Sequence, residues 1–348
     1  MKLLVVSHEY PPYILGGISY HLENLYNEIA ELGHEITIIA GKCIESKNKN
    51  KYGTNSNITV ERLFYPSIRG YHLQFPSLVY RKLKNIDTMK YDVLLTHLDL
   101  PFSVNIPKIT KKHDCRHISR RFMKREQSKP VNLLDKLINP TRQWVSQKSL
   151  KTSDHIVYNS SLTKKLWEDK YPIECSTNVI YNGVDTDVFE PKTKEDVESD
   201  YLLFVGNEER KGKSKIIDFS ESSEYPIYIV GPDDIDAPNI KALGRLSQRN
   251  LAKYYRNAIA TLHPANFEAF GNVILESLAC GTPVVVSDNC GAAEIIDDSC
   301  GRITEDLHTG VEEVKNLDQD NCVKIAESYS WENVAKETIA SVNKCSHR

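Results

Sequence analysis

Two glutamates with seven residues between them, Glu268 and Glu276, are the residues whose types and spacing most directly suggest chemistry. Gly271 stands between them, where a helix is predicted to begin. The free backbone N–H groups of a helix start bind phosphate, whereas flanking carboxylates repel it and instead accept hydrogen bonds from hydroxyls. The series of hydroxyl acceptor, anion site and hydroxyl acceptor matches a nucleotide-sugar, which presents sugar hydroxyls, a diphosphate and ribose hydroxyls in that order.

Positive charge is needed where a diphosphate leaves, and the chain offers it after the predicted strand Tyr201–Gly206. Arg210 and Lys211 precede Gly212 there. Three Asp-x-Asp pairs also occur, at 185 and 187, 234 and 236, and 318 and 320, but they fall in predicted loops. We expect them to be solvated acids, so no metal and no cofactor is expected.

Two further positions lie where parallel sheets bind ligands. His97 ends the predicted strand Asp92–His97, and ligands bind at the carboxyl ends of parallel strands. Gly16 and Gly17 stand between the first predicted strand and the first predicted helix, where a ligand can approach the backbone closely. Both features favour a binding cleft.

The elements that must position these residues alternate between apolar strand-like runs and amphipathic helices, as in an α/β protein with parallel sheets. Apolar residues recur at helical spacing from Ile18 to Leu32, and Gly33 is a natural end for that helix. Almost nothing apolar occurs in residues 190–200, which are predicted to be an exposed linker. Further strands are predicted at Leu3–Ser7, Ile36–Ala40, Val179–Tyr181, Ile227–Gly231, Ala258–His263 and Val284–Ser287, and Ser153–Ser160 is predicted to begin another strand-to-helix unit.

Bulk properties limit the class of protein. At 348 residues, two domains are the default, and 40% hydrophobic with 26% charged residues is ordinary for a globular protein. A net charge of −3 argues against a general nucleic-acid binder, and no apolar run is long enough to span a membrane. The N-terminal apolar run is too short for a secretory signal. The eight scattered cysteines are therefore expected to be reduced thiols in a cytoplasmic protein.

The run from Glu268 through Glu276 to Gly281 and Pro283 resembles the E-x7-E motif of retaining glycosyltransferases with the GT-B fold, family 4, with Ser277 replacing the usual alanine. Asn182-Gly-Val-Asp185 resembles the hinge of that family, and Trp331-Glu332 resembles the start of its last helix. The resemblance implies an α/β protein with two Rossmann-like domains, whose parallel sheets face each other across a cleft. We expect an acceptor-side domain at 1–185, a linker at 186–200, a nucleotide-sugar domain at 201–330, and a last helix at about 331–348 packing on the first domain.

The resemblance also implies roles for individual residues. His97, Glu268, Lys211 and Arg210 are the expected catalytic residues: His97 would contact the transferred sugar, Glu268 its hydroxyls, and the two cations the diphosphate. Asn207 stands where the family usually has arginine, and Arg210 would supply the displaced charge. The expected donor-binding residues are Gly16, Gly17, Asn207, Phe270, Gly271, Asn272, Val273 and Glu276.

The resulting expectation is a retaining, metal-independent hexosyltransferase that moves a sugar from a nucleoside-diphosphate sugar, UDP preferred over GDP-mannose, to a cell-envelope glycan or lipid-linked acceptor. A sugar-nucleotide epimerase of the same fold and a non-catalytic sugar-nucleotide-binding scaffold are the alternatives. Residues 108–129 hold nine Lys or Arg against two acids. This segment predicts either a solvated face or peripheral contact with an anionic membrane surface on its inner side, and no nucleic-acid partner is expected.

Overall fold

The computed structural model describes residues 1–14, 17–43, 55–65, 71–115, 117–119, 121–122, 129–191 and 200–346. Two parallel sheets organise these residues, of seven and six strands. The prediction of an α/β fold with parallel sheets is confirmed. Most of the linker predicted at 190–200, together with Gly16, lies outside the described residues.

The first sheet has the strand order β3-β2-β1-β4-β5-β6-β7, and all its pairings are parallel. Strand β1, the third in this order, is almost completely buried, as expected for a strand with neighbours on both edges and helices on both faces. The strands are β1 Lys2–Ser7, β2 Glu35–Cys43, β3 Ile58–Tyr65, β4 Val93–Thr96, β5 Lys108–Lys112, β6 His155–Tyr158 and β7 Ser176–Val179.

The second sheet repeats this plan with the order β10-β9-β8-β11-β12-β13, again parallel throughout. In both sheets the chain starts at a central strand, builds outward on one side, and then crosses to the other. That reversal leaves a crevice at the carboxyl ends of the central strands, where ligands bind in doubly wound folds. The strands are β8 Leu202–Val205, β9 Ile227–Val230, β10 Ile240–Ala242, β11 Ala260–His263, β12 Val284–Val286 and β13 Gly301–Ile303.

Helices cover both sheets, and the last helix of the chain packs against the first domain. Trp331, Val334 and Val342 pack in the same core as Leu22 and Ile29 of the first helix. The helices with described bounds are α1 Gly17–Glu31, α2 Tyr71–Lys84, α3 Lys129–Lys151, α4 Ser161–Glu168, α5 Lys213–Ser220, α6 Gln248–Asn257, α7 Asn272–Ala279, α8 Leu307–Val314, α9 Gln319–Ser328 and α10 Trp331–Ser346. None of them is both long and apolar enough to cross a bilayer.

The structure buries three of the nine basic residues in the segment 108–129, for which a solvated face or a membrane contact is predicted. Lys108, Lys111 and Lys112 are only 1%, 7% and 5% exposed, because they belong to β5, an inner strand of the first sheet. Lys108 Nζ donates to the carbonyls of Leu100 and Phe102. These three lysines cannot contact a membrane surface, and eight residues of the same segment, 116, 120 and 123–128, lie outside the described residues.

Candidate functional site

A cleft of about 520 Å³ lies between the two sheets and is lined from both domains. Gly17, His21 and His113 contribute from the first domain, and Lys211 and Glu276 from the second. Most residues predicted to bind the donor meet here. Those that line the cleft are Gly17, Arg210, Lys211, Glu268, Phe270, Gly271, Asn272, Val273 and Glu276.

The start of α7 forms the floor of the second domain's half. Gly271 precedes the helix with φ of 101°, a left-handed conformation that favours glycine. A Cβ atom at this position would lie 2.8 Å from Cys290 Sγ. The backbone therefore turns into the helix in a space that only glycine fits. Asn272 and Val273, the first residues of α7, line the cleft, and Gly271 offers no capping side chain, so the first N–H groups of the helix are available to an anion.

Glu276 lies one turn along α7 and is held by Tyr255, whose hydroxyl donates to Glu276 Oε2 at 3.0 Å. Burial raises the pKa of Glu276, while the Tyr255 hydrogen bond and the charge of Lys211 partly oppose that shift. One oxygen of the carboxylate is thus fixed by Tyr255. The side chain is positioned to accept a hydrogen bond from a ligand hydroxyl in the cleft.

Glu268 is bound by Arg210 rather than left free. Arg210 Nη1 lies 2.7 Å from Glu268 Oε1, and Arg210 Nη2 lies 2.8 Å from Glu208 Oε2. Burial alone would raise the pKa of Glu268, but the charges of Arg210 and Lys211 outweigh it, so the pKa is lowered. Glu268 is therefore an ionised hydrogen-bond acceptor, and much of the charge of Arg210 is already committed to carboxylates.

Lys211 is the cation that the cleft leaves available, because within the described ranges it forms no ion pair shorter than 4.0 Å. Gly212, with φ of 88°, follows it directly and starts α5. Asn207 does not line the cleft; its side-chain oxygen accepts from Lys213 Nζ at 2.9 Å on the surface. The predicted donor-binding role of Asn207 thus has no support from its position.

His97, the histidine predicted to contact the transferred sugar, lies next to the main cleft and does not line it. His97 lines a smaller neighbouring cavity, and His113 lines the main cleft in its place. Tyr26 Oη lies 2.6 Å from His97 Nε2, and His97 Nδ1 lies 2.7 Å from His113 Nε2, so His97 connects Tyr26 to the cleft histidine. Sequence reasoning missed His113, although the pair His113-Asp114 directly follows β5, at the carboxyl edge where ligands bind.

Three histidines, His21, His97 and His113, place ring nitrogens within 4.8 Å of one another, close enough to hold a metal ion. Burial is the main cause that lowers the pKa of all three, to about 3 for His97, so each is neutral as a ligand must be. Lys111 lies near enough for its positive charge to lower these pKa values further, and the same charge would oppose a cation.

The two domains touch beside this site. Ser160 Oγ donates to the carbonyl of Ala269 at 2.7 Å, and Asn182 Nδ2 donates to Asn272 Oδ1 at 2.8 Å. Asn182, Ala269 and Asn272 themselves line the cleft. The relative position of the domains therefore bears directly on the placement of Glu268 and the start of α7.

Comparisons with known proteins agree with this architecture. The model of Glycosyltransferase Family 4 matches residues 15–188, and that of Glycosyl transferases group 1 matches residues 237–314. The glycosyltransferase MJ1607 of Methanocaldococcus jannaschii is 26% identical, covering 97% of each chain. Sucrose-phosphate synthase from Thermosynechococcus elongatus has a similar structure, with a TM-score of 0.78, 16% identity and coverage of 99% and 98%. HepE of Anabaena, solved with UDP and glucose, has a TM-score of 0.68 at 16% identity, covering 99% of each chain.

Two Rossmann-like domains with a cleft between them define the GT-B fold. The chain belongs to glycosyltransferase family 4. The expected family, fold and enzyme class are thereby confirmed, whereas the proposed roles of individual residues and the domain limits stay predictions.

Proposed function

We propose that this glycosyltransferase is a retaining, metal-independent enzyme that takes its sugar from a UDP-sugar and transfers it to a cell-envelope glycan or a lipid-linked acceptor. The observation that carries the proposal is the arrangement around α7. An ionised glutamate, an uncapped helix start and a second glutamate follow one another along the cleft, in the order of the polar groups of the donor.

Departure of the diphosphate creates negative charge that the site can meet without a metal. Lys211 and the first residues of α7 line the cleft, and a fixed cation and an uncapped helix start stabilise developing negative charge without reorganisation. Glu268 would bind hydroxyls of the transferred sugar, because Arg210 holds one of its oxygens and keeps it ionised. We assign no covalent nucleophile, so the acceptor attacks from the side of the leaving group.

The choice of UDP is supported by a structural neighbour, HepE, which was solved with UDP, with UDP-glucose and with UDP and glucose. At 16% identity this neighbour supports the choice of nucleotide by analogy of fold alone. Thermal unfolding in the presence of UDP, GDP or ADP tests it, because a ligand that binds the folded state raises the melting temperature. We expect the largest rise with UDP.

Turnover is tested by release of free UDP from UDP-glucose with and without EDTA, and by the anomeric configuration of the product. We expect UDP release that EDTA leaves unchanged, and retention at the anomeric carbon. A new sugar-nucleotide isomer would instead identify an epimerase, and UDP binding without any turnover would identify a scaffold. A rate that EDTA abolishes would contradict metal independence.

A further inference from the structure

His263 is a fully buried histidine that ends β11, at the edge of the second sheet where doubly wound folds bind ligands. Neither of its ring nitrogens has a hydrogen-bond partner among the residues that the structure describes. Burial lowers the pKa of His263 to about 4, so the imidazole is neutral and keeps one N–H group to donate. A buried N–H group without an acceptor is costly, so its presence calls for an acceptor that becomes available in the working enzyme.

The Glu268 carboxylate lies close to this imidazole. His263 Nε2 is 3.9 Å from Glu268 Oε2, a gap about 1 Å longer than a hydrogen bond. Arg210 Nη1 binds the other oxygen, Oε1, at 2.7 Å. A small rotation of the carboxylate would therefore bring Oε2 to His263 while Arg210 keeps Oε1.

The backbone around Glu268 is fixed, which confines this adjustment to the end of the side chain. The N–H group of Glu268 donates to the carbonyl of Asn289 at 2.9 Å. The loop between His263 and Glu268 is held as well, because the N–H group of Asn266 donates to the carbonyl of Arg210 at 2.9 Å. The imidazole, the guanidinium and the carboxylate are thus parts of one anchored unit.

We propose that His263 is a positioning residue of the transferase: its Nε2–H group donates to Glu268 Oε2 when the donor is bound, and so orients the carboxylate toward the hydroxyls of the transferred sugar. This inference rests on the proposed function, in which Glu268 binds those hydroxyls. One carboxylate oxygen accepts more than one hydrogen bond, so Oε2 can serve His263 and a sugar hydroxyl together. The donor also excludes water from the carboxylate, which is 13% exposed in the free protein, and hydrogen bonds to it then become stronger.

Replacement of His263 by leucine provides the first test, because leucine is similar in size and has no N–H group to donate. We expect His263→Leu to lower kcat/KM for UDP release from UDP-glucose at least about tenfold, the effect of losing a hydrogen bond to a charged group. UDP alone lacks the sugar, so its Kd from calorimetric titration should stay at the wild-type value. Wild-type kcat/KM in this variant would overturn the proposal. Equal losses of UDP binding and of kcat/KM would overturn it too, because they would show a structural role.

Two polar variants separate the hydrogen bond from the packing of the side chain. Glutamine can place its amide nitrogen near the position of Nε2, whereas asparagine is shorter and places it near Nδ1. We expect His263→Gln to recover most of the lost kcat/KM and His263→Asn to recover little. The same pair tests the proposal if His263→Leu fails to fold. Equal kcat/KM in the glutamine and asparagine variants would contradict a hydrogen bond from the Nε2 position.

His155→Leu is the matched control for the loss of a buried histidine. His155 is also buried, but its ring nitrogens bond to Ser176 Oγ and Asn178 Oδ1 within the first domain. This variant should lower the melting temperature and leave kcat/KM unchanged, and an equal loss of kcat/KM in both leucine variants would contradict a specific role of His263. Absence of UDP binding by the wild type would refute the proposed function itself, whereas normal turnover by both wild type and His263→Leu would refute this inference alone.

Discussion

At the residue scale, the protonation of Glu268 depends on a single guanidinium. Arg210 Nη1 binds Glu268 Oε1, while His263, which is fully buried, lies 3.9 Å from the other carboxylate oxygen. Burial lowers the pKa of His263 to about 4, so this imidazole is neutral at neutral pH and adds no charge. The ionised state of Glu268 therefore depends on Arg210, with support from Lys211.

Replacing Arg210 should leave the Glu268 carboxylate without its ion-pair partner. We expect Arg210→Met to destabilise the protein by about 3–5 kcal/mol at pH 7, because removing one partner of a buried pair leaves an uncompensated charge. Urea unfolding at pH 7 measures the loss. Lys336→Met, which breaks an exposed pair with Glu332, is the control and should cost less than about 1 kcal/mol.

The contribution of Glu268 to the pH dependence of stability should also change sign in Arg210→Met. In the wild type the pKa of Glu268 is lowered, so its contribution is complete above the unfolded pKa and is lost as pH falls through the folded pKa. Without Arg210, burial raises that pKa, and the penalty is then relieved as pH falls. The difference between wild type and Arg210→Met should therefore be smaller at pH 4 than at pH 7. A constant difference would show that Glu268 is not the group responsible.

Lys211 lines the cleft and is the cation available to the leaving diphosphate. If its ammonium meets the leaving diphosphate, Lys211→Ala should raise the barrier by about 2–4 kcal/mol, a loss of roughly 30- to 1000-fold in kcat/KM. UDP release at several donor concentrations measures it. Lys213→Ala is the matched control, because Lys213 lies two residues along the chain but bonds to Asn207 outside the cleft. Unchanged turnover of Lys211→Ala would remove Lys211 from the mechanism.

At the element scale, glycine conformations fix how the chain enters the cleft. Gly271→Ala should destabilise the protein by about 2–4 kcal/mol, because positive φ costs about 1 kcal/mol and the added Cβ would lie 2.8 Å from Cys290 Sγ. Gly33→Ala is the control: it also has positive φ, of 86°, but its Cβ would meet nothing within 4 Å. Thermal unfolding and UDP titration compare the two. Equal losses would show that the crowding at Cys290 has no effect.

The sequence predicts the apolar elements at the right positions and the polar strands less well. Apolar strands such as β1 and β12 and the periodic helix α1 occur where expected, because burial on both faces demands apolar residues. The strand predicted at Val179–Tyr181 lies instead at Ser176–Val179. Its polar residues form a strand through pairing with β6 rather than through their own hydrophobicity.

Strand β5 is a stronger example of a polar strand that its own sequence does not reveal. Its sequence, with three lysines in five residues, predicts a charged surface, yet the strand lies inside the sheet. Lys108 is accommodated by carbonyl and hydroxyl acceptors, and Lys112 by Asp99, none of which a local pattern reveals. The functional consequence is that His113, at the end of this hidden strand, could not be placed in the cleft from sequence alone.

At the scale of the whole molecule, one carboxylate joins the two domains. Glu294 of the second domain accepts from the backbone N–H groups of Ser161 and Leu162 at 2.8 and 2.7 Å, at the start of α4 in the first domain. Tyr181 Oη donates to the same carboxylate at 3.0 Å. A negative charge at a helix N-terminus is stabilising, so Glu294 caps a helix of the other domain.

Glu294→Ala should loosen the domains without unfolding either. We expect the amides of Ser161 and Leu162 to exchange hydrogen at least about tenfold faster, since they lose their acceptor, and the radius of gyration in solution to increase. Hydrogen-exchange mass spectrometry and small-angle scattering measure the two effects. Glu313→Ala, which removes a partner of Arg302 within the second domain, is the control and should change neither.

Because Ser160 and Thr163 of the same segment also donate to the carbonyl of Ala269, next to Glu268, the loosened variant should bind UDP-glucose more weakly. Wild-type exchange at both amides would show that the domains are held together by other contacts.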